Sequence, residues 1–155
     1  MNRLLVGFVA LGILALAGVG SWMWLNRSNA DGTVSAERIA MGRSLYAEHC
    51  ASCHGANLEG QPDWRKRLPN GRMPAPPHDS TGHTWHHPDE ALFRVTKEGS
   101  AAVAGGGYES DMPGFGDAMT DDEIRAVLTF IKSTWPERIR KVQEQRSAAK
   151  QEASQ

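Results

Sequence analysis

The first apolar stretch of the chain, Leu4 to Leu25, contains no charged residue and is bounded by Arg3 and Arg27. At about 1.5 Å of rise per residue, a helix over that run spans about the 30 Å hydrocarbon core of a bilayer. Trp22 and Trp24 fall at its C-terminal end, where amphipathic rings settle at the headgroup level. The pattern predicts a membrane anchor over residues 1–27. Its rival is a signal peptide cleaved after Ala15-Leu16-Ala17, but the apolar run continues well past Ala17, beyond the usual length of a signal core. Both readings export the remainder of the chain. Residues 28–34 are a short polar linker.

Helical spacing takes over after the linker. Ser35 has the chemistry of an N-cap, and Ile39, Gly42, Leu45 and Tyr46 then recur along one stripe that runs directly into Cys50. Pro88-Asp89-Glu90 opens a second helix, carrying Ala91, Leu92 and Val95, and Gly99 closes it. Thr120, with Glu123 three residues on, is a capping box for a last helix whose stripe is Ile124, Val127, Leu128 and Ile131, with Pro136 as the stop. From Glu137 the chain is polar, with Ile139 and Val142 as apolar points, and reads as a solvated helix or a disordered tail over residues 137–155. No strand-like alternation and no internal repeat appears. The expected fold is therefore all-α, three to four helices in a domain over residues 35–136.

The segments between these helices pose a physical problem. Pro62, Pro69, Pro74, Pro76 and Pro77 break up residues 55–88, and Gly105-Gly106-Gly107 opens another irregular stretch within residues 100–119. Both exceed the roughly 12–15 residues tolerated in compact domains without a functional reason. Something other than side chains must fill part of the core, and a large apolar cofactor would do so. Composition narrows the classes further. A net charge of −1 over 155 residues offers no polycationic surface for nucleic acid, and two cysteines are too few for a disulfide-scaffolded domain.

Those two cysteines supply the chemistry. Cys50-Ala51-Ser52-Cys53-His54 is Cys-x-x-Cys-His, the attachment pattern of c-type haem. Two thiols at that spacing can form thioethers with the two vinyl groups of one porphyrin, and the histidine that follows is placed to ligate the iron. A thioredoxin-like redox pair would require a βαβ context that is missing, and a zinc site would need further ligands at typical spacings.

With that motif in place, residues 35–136 resemble the class I c-type cytochromes. Gly42 and Tyr46 match the family's glycine–aromatic pair in the first helix, which packs on the last helix, here through Val127 and Phe130. Met112-Pro113-Gly114-Phe115 resembles the distal methionine loop, and Asp122-Glu123-Ile124 through Trp135-Pro136 resembles the final helix. The resemblance implies a monohaem cytochrome c fold with one edge of the porphyrin exposed. The N-terminal segment, the polar tail and a histidine-rich loop are departures from the family core.

His54 is the expected proximal iron ligand, and Met112 is the candidate for the sixth position. A thioether is a soft donor, and Met/His ligation raises the haem potential toward that of an electron carrier. Met73, also followed by proline, is the main rival, and bis-His ligation through the 78–87 loop is the other alternative. Met119 reads as a core or capping contact, and Met41, Met23 and Met1 lie on the wrong elements. His78, His83, His86 and His87 crowd one loop around Trp85. They are expected to cover the haem edge and, with Thr84 or Trp85, to hydrogen-bond the propionates. A second metal such as copper, held by His83, His86 or His87, is the alternative. Arg65, Lys66, Arg67 and Arg72 form a basic cluster, while Glu109 to Glu123 holds six acids and no base; either could steer a redox partner, although such runs are more often solvated faces.

These observations predict a membrane-tethered electron-transfer protein on the periplasmic or other extracytoplasmic side. It would carry one haem c with its iron and exchange electrons with donor and acceptor proteins, without being an enzyme. Two other readings stand beside it. One is a haem subunit of a membrane oxidase or dehydrogenase; the other is a haem enzyme or gas sensor with an open sixth site.

Overall fold

The computed structural model describes residues 34–153, and the predicted membrane anchor (1–27) and nearly all of the linker lie outside them. Among the described residues no helix is long and apolar enough to cross a membrane. They contain α-helices and one 3₁₀ turn and no strand, in agreement with the all-α expectation.

Helix α1 (Ala36–His49) starts where the Ser35 side chain accepts a hydrogen bond from the Arg38 amide, satisfying one of the amides left free in a first turn. A short α2 (Ala51–His54) follows directly and ends at Gly55. After a long irregular segment come the 3₁₀ turn Thr84–His86 and α3 (Asp89–Glu98), closed by Gly99. A short helix absent from the sequence reading, α4 (Ser100–Ala104), precedes the methionine loop. Helix α5 (Asp121–Ser133) opens with the predicted capping box: Glu123 N donates to Thr120 Oγ1 at 3.3 Å, and Thr120 N donates to the Glu123 carboxylate at 2.8 Å.

The most extensive helix–helix interface joins α1 to α5. Gly42 makes it possible: a Cβ there would lie 2.0 Å from Ala126 O and 2.9 Å from Phe130 Cβ. The glycine meets the Ala126 carbonyl and Phe130 most closely, and Val127 is fully buried in the same core cluster as Tyr46 and Phe130. One turn on, the Tyr46 ring packs on Phe130 with centroids 5.5 Å apart. Removing a side chain such as Ile124 or Phe130 from water contributes about 1.5–3 kcal/mol each. Met119 is buried in the same core, as its sequence position suggested.

The polar tail is helical, as one of the two readings had it, and although most of its residues are exposed it is docked by one stripe. It forms α6 (Glu137–Glu152) and belongs to the same compact unit as the rest of the domain from Ser35 onward. Ile139, Gln143 and Ser147 recur every fourth residue and are all buried, so the helix has an inward stripe that is mostly polar. Gln143 Nε2 reaches Asp89 Oδ1 at 2.6 Å and His87 O at 3.2 Å, and the Asp89 amide donates to Ser147 Oγ at 3.0 Å. Lys132 of α5 closes the cluster by pairing with Asp89 at 2.9 Å. Helix α6 thus fixes the histidine-rich loop at the point where it enters α3.

Candidate functional site

The Cys-x-x-Cys-His motif spans the junction of α1 and α2. Both thiols are free: Cys50 is half-buried and Cys53 exposed. Burial, and then the neighbouring Cys53 charge, push the Cys50 thiol up to about 11. It is therefore a protonated thiol at neutral pH, without the lowered pKa of a reactive redox cysteine. Tyr46 O–H donates to Gly55 O at 2.8 Å, which ties the end of the motif back to α1. Burial, followed by the nearby Cys50 and Glu59, raises the phenol's pKa.

His54 is buried, and its Nδ1 lies 2.8 Å from Pro76 O. A carbonyl can only accept, so the Nδ1 atom carries the proton and Nε2 is left with a bare lone pair. Burial depresses the imidazole pKa and outweighs the opposing effect of the Pro76 hydrogen bond, which keeps the ring neutral. A neutral imidazole with its far nitrogen anchored to a backbone carbonyl is the form in which histidine binds metals. The Pro76 carbonyl was invisible to sequence reasoning, because it acts through the backbone of a loop without periodicity.

Met112 lies on the loop between α4 and α5, partly buried. Ser100 Oγ donates to its sulfur at 3.3 Å, and the Met112 amide donates to Ser110 Oγ at 3.1 Å. Beyond it, the Phe115 and Gly116 amides donate to Thr96 O and Lys97 O, both at 3.0 Å, using carbonyls that the end of α3 leaves free. This docking needs backbones in contact: a Cβ on Gly114 would lie 2.7 Å from Lys97 O. Before Met112 the loop is held by Arg72, which pairs with Asp111 and, at 3.4 Å, with Glu109. The basic and acidic runs seen in the sequence therefore meet at this point.

The histidine loop does not converge on one point, although His83 and His87 meet edge-on with ring centroids 5.5 Å apart. His78 turns inward onto His54; His83 stacks on Trp64 at 5.4 Å; His86 lies against Trp85 at 3.7 Å. Among the described residues no group of three or more His, Cys, Asp or Glu side chains is arranged to hold a metal ion, so the second-metal alternative at His83, His86 and His87 gains no support. Burial lowers the pKa of His78 far below the ordinary value. His83 and His87 are lowered too, by burial first and then by their histidine neighbours.

The residues present suit a covalently held, acidic macrocycle. The thiols are unpaired, His54 offers an open Nε2, Met112 supplies a soft sulfur, and Trp85 Nε1 is a buried donor with no acceptor among the described residues. An all-α domain with this donor set and these long irregular loops is that of a haem-binding protein. The sequence model of the cytochrome c family matches residues 39–135, and the chain belongs to that family. Membership brings a covalently bound c-type haem with its iron, a haem-based electron-transfer role and redox partner proteins. Neither a curated protein nor a solved structure matches the chain significantly.

Proposed function

We propose that this protein is a monohaem class I cytochrome that shuttles single electrons between partner proteins without turning over a substrate of its own. Cys50 and Cys53 form the thioethers, His54 Nε2 is the proximal iron ligand and Met112 Sδ the distal one. The observation that carries this reading is the 2.8 Å contact from His54 Nδ1 to Pro76 O, which sets the tautomer and turns the ligating nitrogen free directly after the thiol pair. When bound, the haem supplies a one-electron iron couple, whose potential a histidine–methionine pair raises. The protein's part is to hold both ligands and exclude water. His54 is fixed by a backbone carbonyl, and Met112 by Ser100 and the loop's docking on α3. Trp85 Nε1 is available to a propionate.

The uncharged run Leu4–Leu25 supports a tether that places this domain on the extracytoplasmic face of a membrane. Retention in the membrane fraction after a carbonate wash tests it, and a mature form starting near Gly18 would contradict it. For the haem assignment the test is absorption spectroscopy of the oxidised and reduced protein. Cys50→Ser should leave at most one thioether and shift the pyridine haemochrome band; an unchanged band in a fully loaded variant would refute covalent attachment through Cys50. Carbon monoxide added to the reduced protein should bind little, whereas ready binding would favour an enzyme or sensor with an open sixth site.

A further inference from the structure

His78 occupies a position that the electron-transfer reading does not explain. It is a half-buried polar ring lying flat against the proposed iron ligand: the His54 and His78 centroids are 4.0 Å apart and the ring planes are inclined by 24°. The hydrogen bond from His54 to Pro76 holds one edge of the ligand ring and leaves its face without that support. A second ring stacks on that face.

His78 is itself held on several sides. Its Nδ1 lies 2.8 Å from Thr84 Oγ1, and that buried hydroxyl donates onward to Pro77 O at 3.4 Å, so His78 donates to Thr84. The His78 amide donates to Leu58 O at 2.8 Å, and its carbonyl accepts from Trp135 Nε1 at 2.7 Å. Tyr46 meets the ring edge-on at 6.3 Å. An aliphatic side chain would fill the same space without the desolvation cost of an imidazole, but would leave the Thr84 hydroxyl without this partner and offer no flat face.

We propose that His78 is a positioning residue for His54: stacked on its face and locked by Thr84, it holds the ligand's imidazole plane in a single orientation. This rests on His54 being an iron ligand. In a ferric low-spin haem protein the imidazole plane sets how unpaired spin is distributed around the porphyrin, so the spread of the haem ring-methyl proton resonances reports it.

The test compares the haem-loaded wild type with His78→Leu, His78→Phe and Thr84→Val by proton NMR of the ferric state. His78→Leu should contract the methyl spread, because the ligand plane then samples several orientations. His78→Phe restores a flat face and should recover most of the wild-type spread. Thr84→Val, which frees His78 without touching His54, should give an intermediate contraction. An unchanged spread in His78→Leu, or equal contraction in the Leu and Phe variants, overturns the proposal. If His78→Leu fails to load haem, the Phe and Thr84 variants decide it: contraction in Thr84→Val alone supports positioning, and no change in either overturns it. The underlying reading fails separately, if His54→Ala retains the wild-type low-spin absorption spectrum.

Discussion

The two candidate ligands are held in different ways. His54 sits at the end of a helical turn, with its ring bonded to a loop carbonyl and stacked on His78, while Tyr46 holds the carbonyl of the next residue, Gly55, and Trp135 holds that of His78. Met112 sits on an irregular loop. Its approach is fixed by exposed ion pairs from Arg72, its departure by two backbone hydrogen bonds to the end of α3, and its sulfur by one serine hydroxyl. Interior hydrogen bonds are costly to break because the orphaned partner stays dry, whereas exposed ion pairs are weak and screened by salt. The proposed proximal side is therefore built with the fold, and the proposed distal side is expected to open without unfolding the domain.

The largest expected effect comes from the frame behind the proximal side. Gly42→Ala places a methyl group on the Ala126 carbonyl, so α1 and α5 must separate. We expect a loss of about 3 kcal/mol, at the upper end of overpacking costs, read as a fall in the urea midpoint. A midpoint within error of the wild type would show that the crossing is more yielding than described. Next is Trp135→Phe, which leaves the His78 carbonyl without its donor; about 1–2 kcal/mol should be lost, with the unfolding slope unchanged.

A smaller effect should follow pH. In the folded protein His78, His83 and His87 are all lowered below the ordinary imidazole range, which is about 6.5 in the unfolded chain. As pH falls through about 6.5 the unfolded chain takes up protons first, so stability is fully present above that value and declines below it. Urea midpoints measured between about pH 7.5 and pH 5 should fall steadily, and much of the slope should vanish in His78→Phe. The smallest effect belongs to the distal side. Arg72→Gln should barely change the unfolding midpoint, and any difference should disappear in high salt, yet it should raise the rate at which an added ligand such as imidazole takes the position proposed for Met112. A large, salt-insensitive loss of stability would erase the contrast between the two sides.

Much of this arrangement was legible in the residues. Ser35, Thr120 with Glu123, and Gly99 mark helix ends through local side-chain and backbone chemistry, and the structure places each where its spacing implies. Gly42 and Tyr46 announced a close helix crossing because only a missing side chain permits one. Helix α6 was missed as a packed element for a physical reason. Its inward stripe has the right period, but Gln143 and Ser147 are buried by hydrogen bonding, and a search for apolar periodicity cannot see that. Pro76 and His78 escaped for a related reason. Their roles depend on where a proline-rich loop folds back, and nothing local encodes that. The pairing of Arg72 with Glu109 and Asp111 likewise joins two runs that were legible only as separate charged stretches.

The proposed ligation of the iron by Met112 is reached most directly by near-infrared absorption of the oxidised protein. A methionine sulfur on ferric haem gives a weak charge-transfer band. The band should be present in the wild type and in Met73→Ala, which shares the Met-Pro dipeptide, and absent in Met112→Ala. The potential of Met112→Ala should fall by more than about 59 mV, a tenfold change for one electron. A band lost in Met73→Ala and kept in Met112→Ala would reverse the assignment, and a band unaffected by either substitution would contradict methionine ligation altogether.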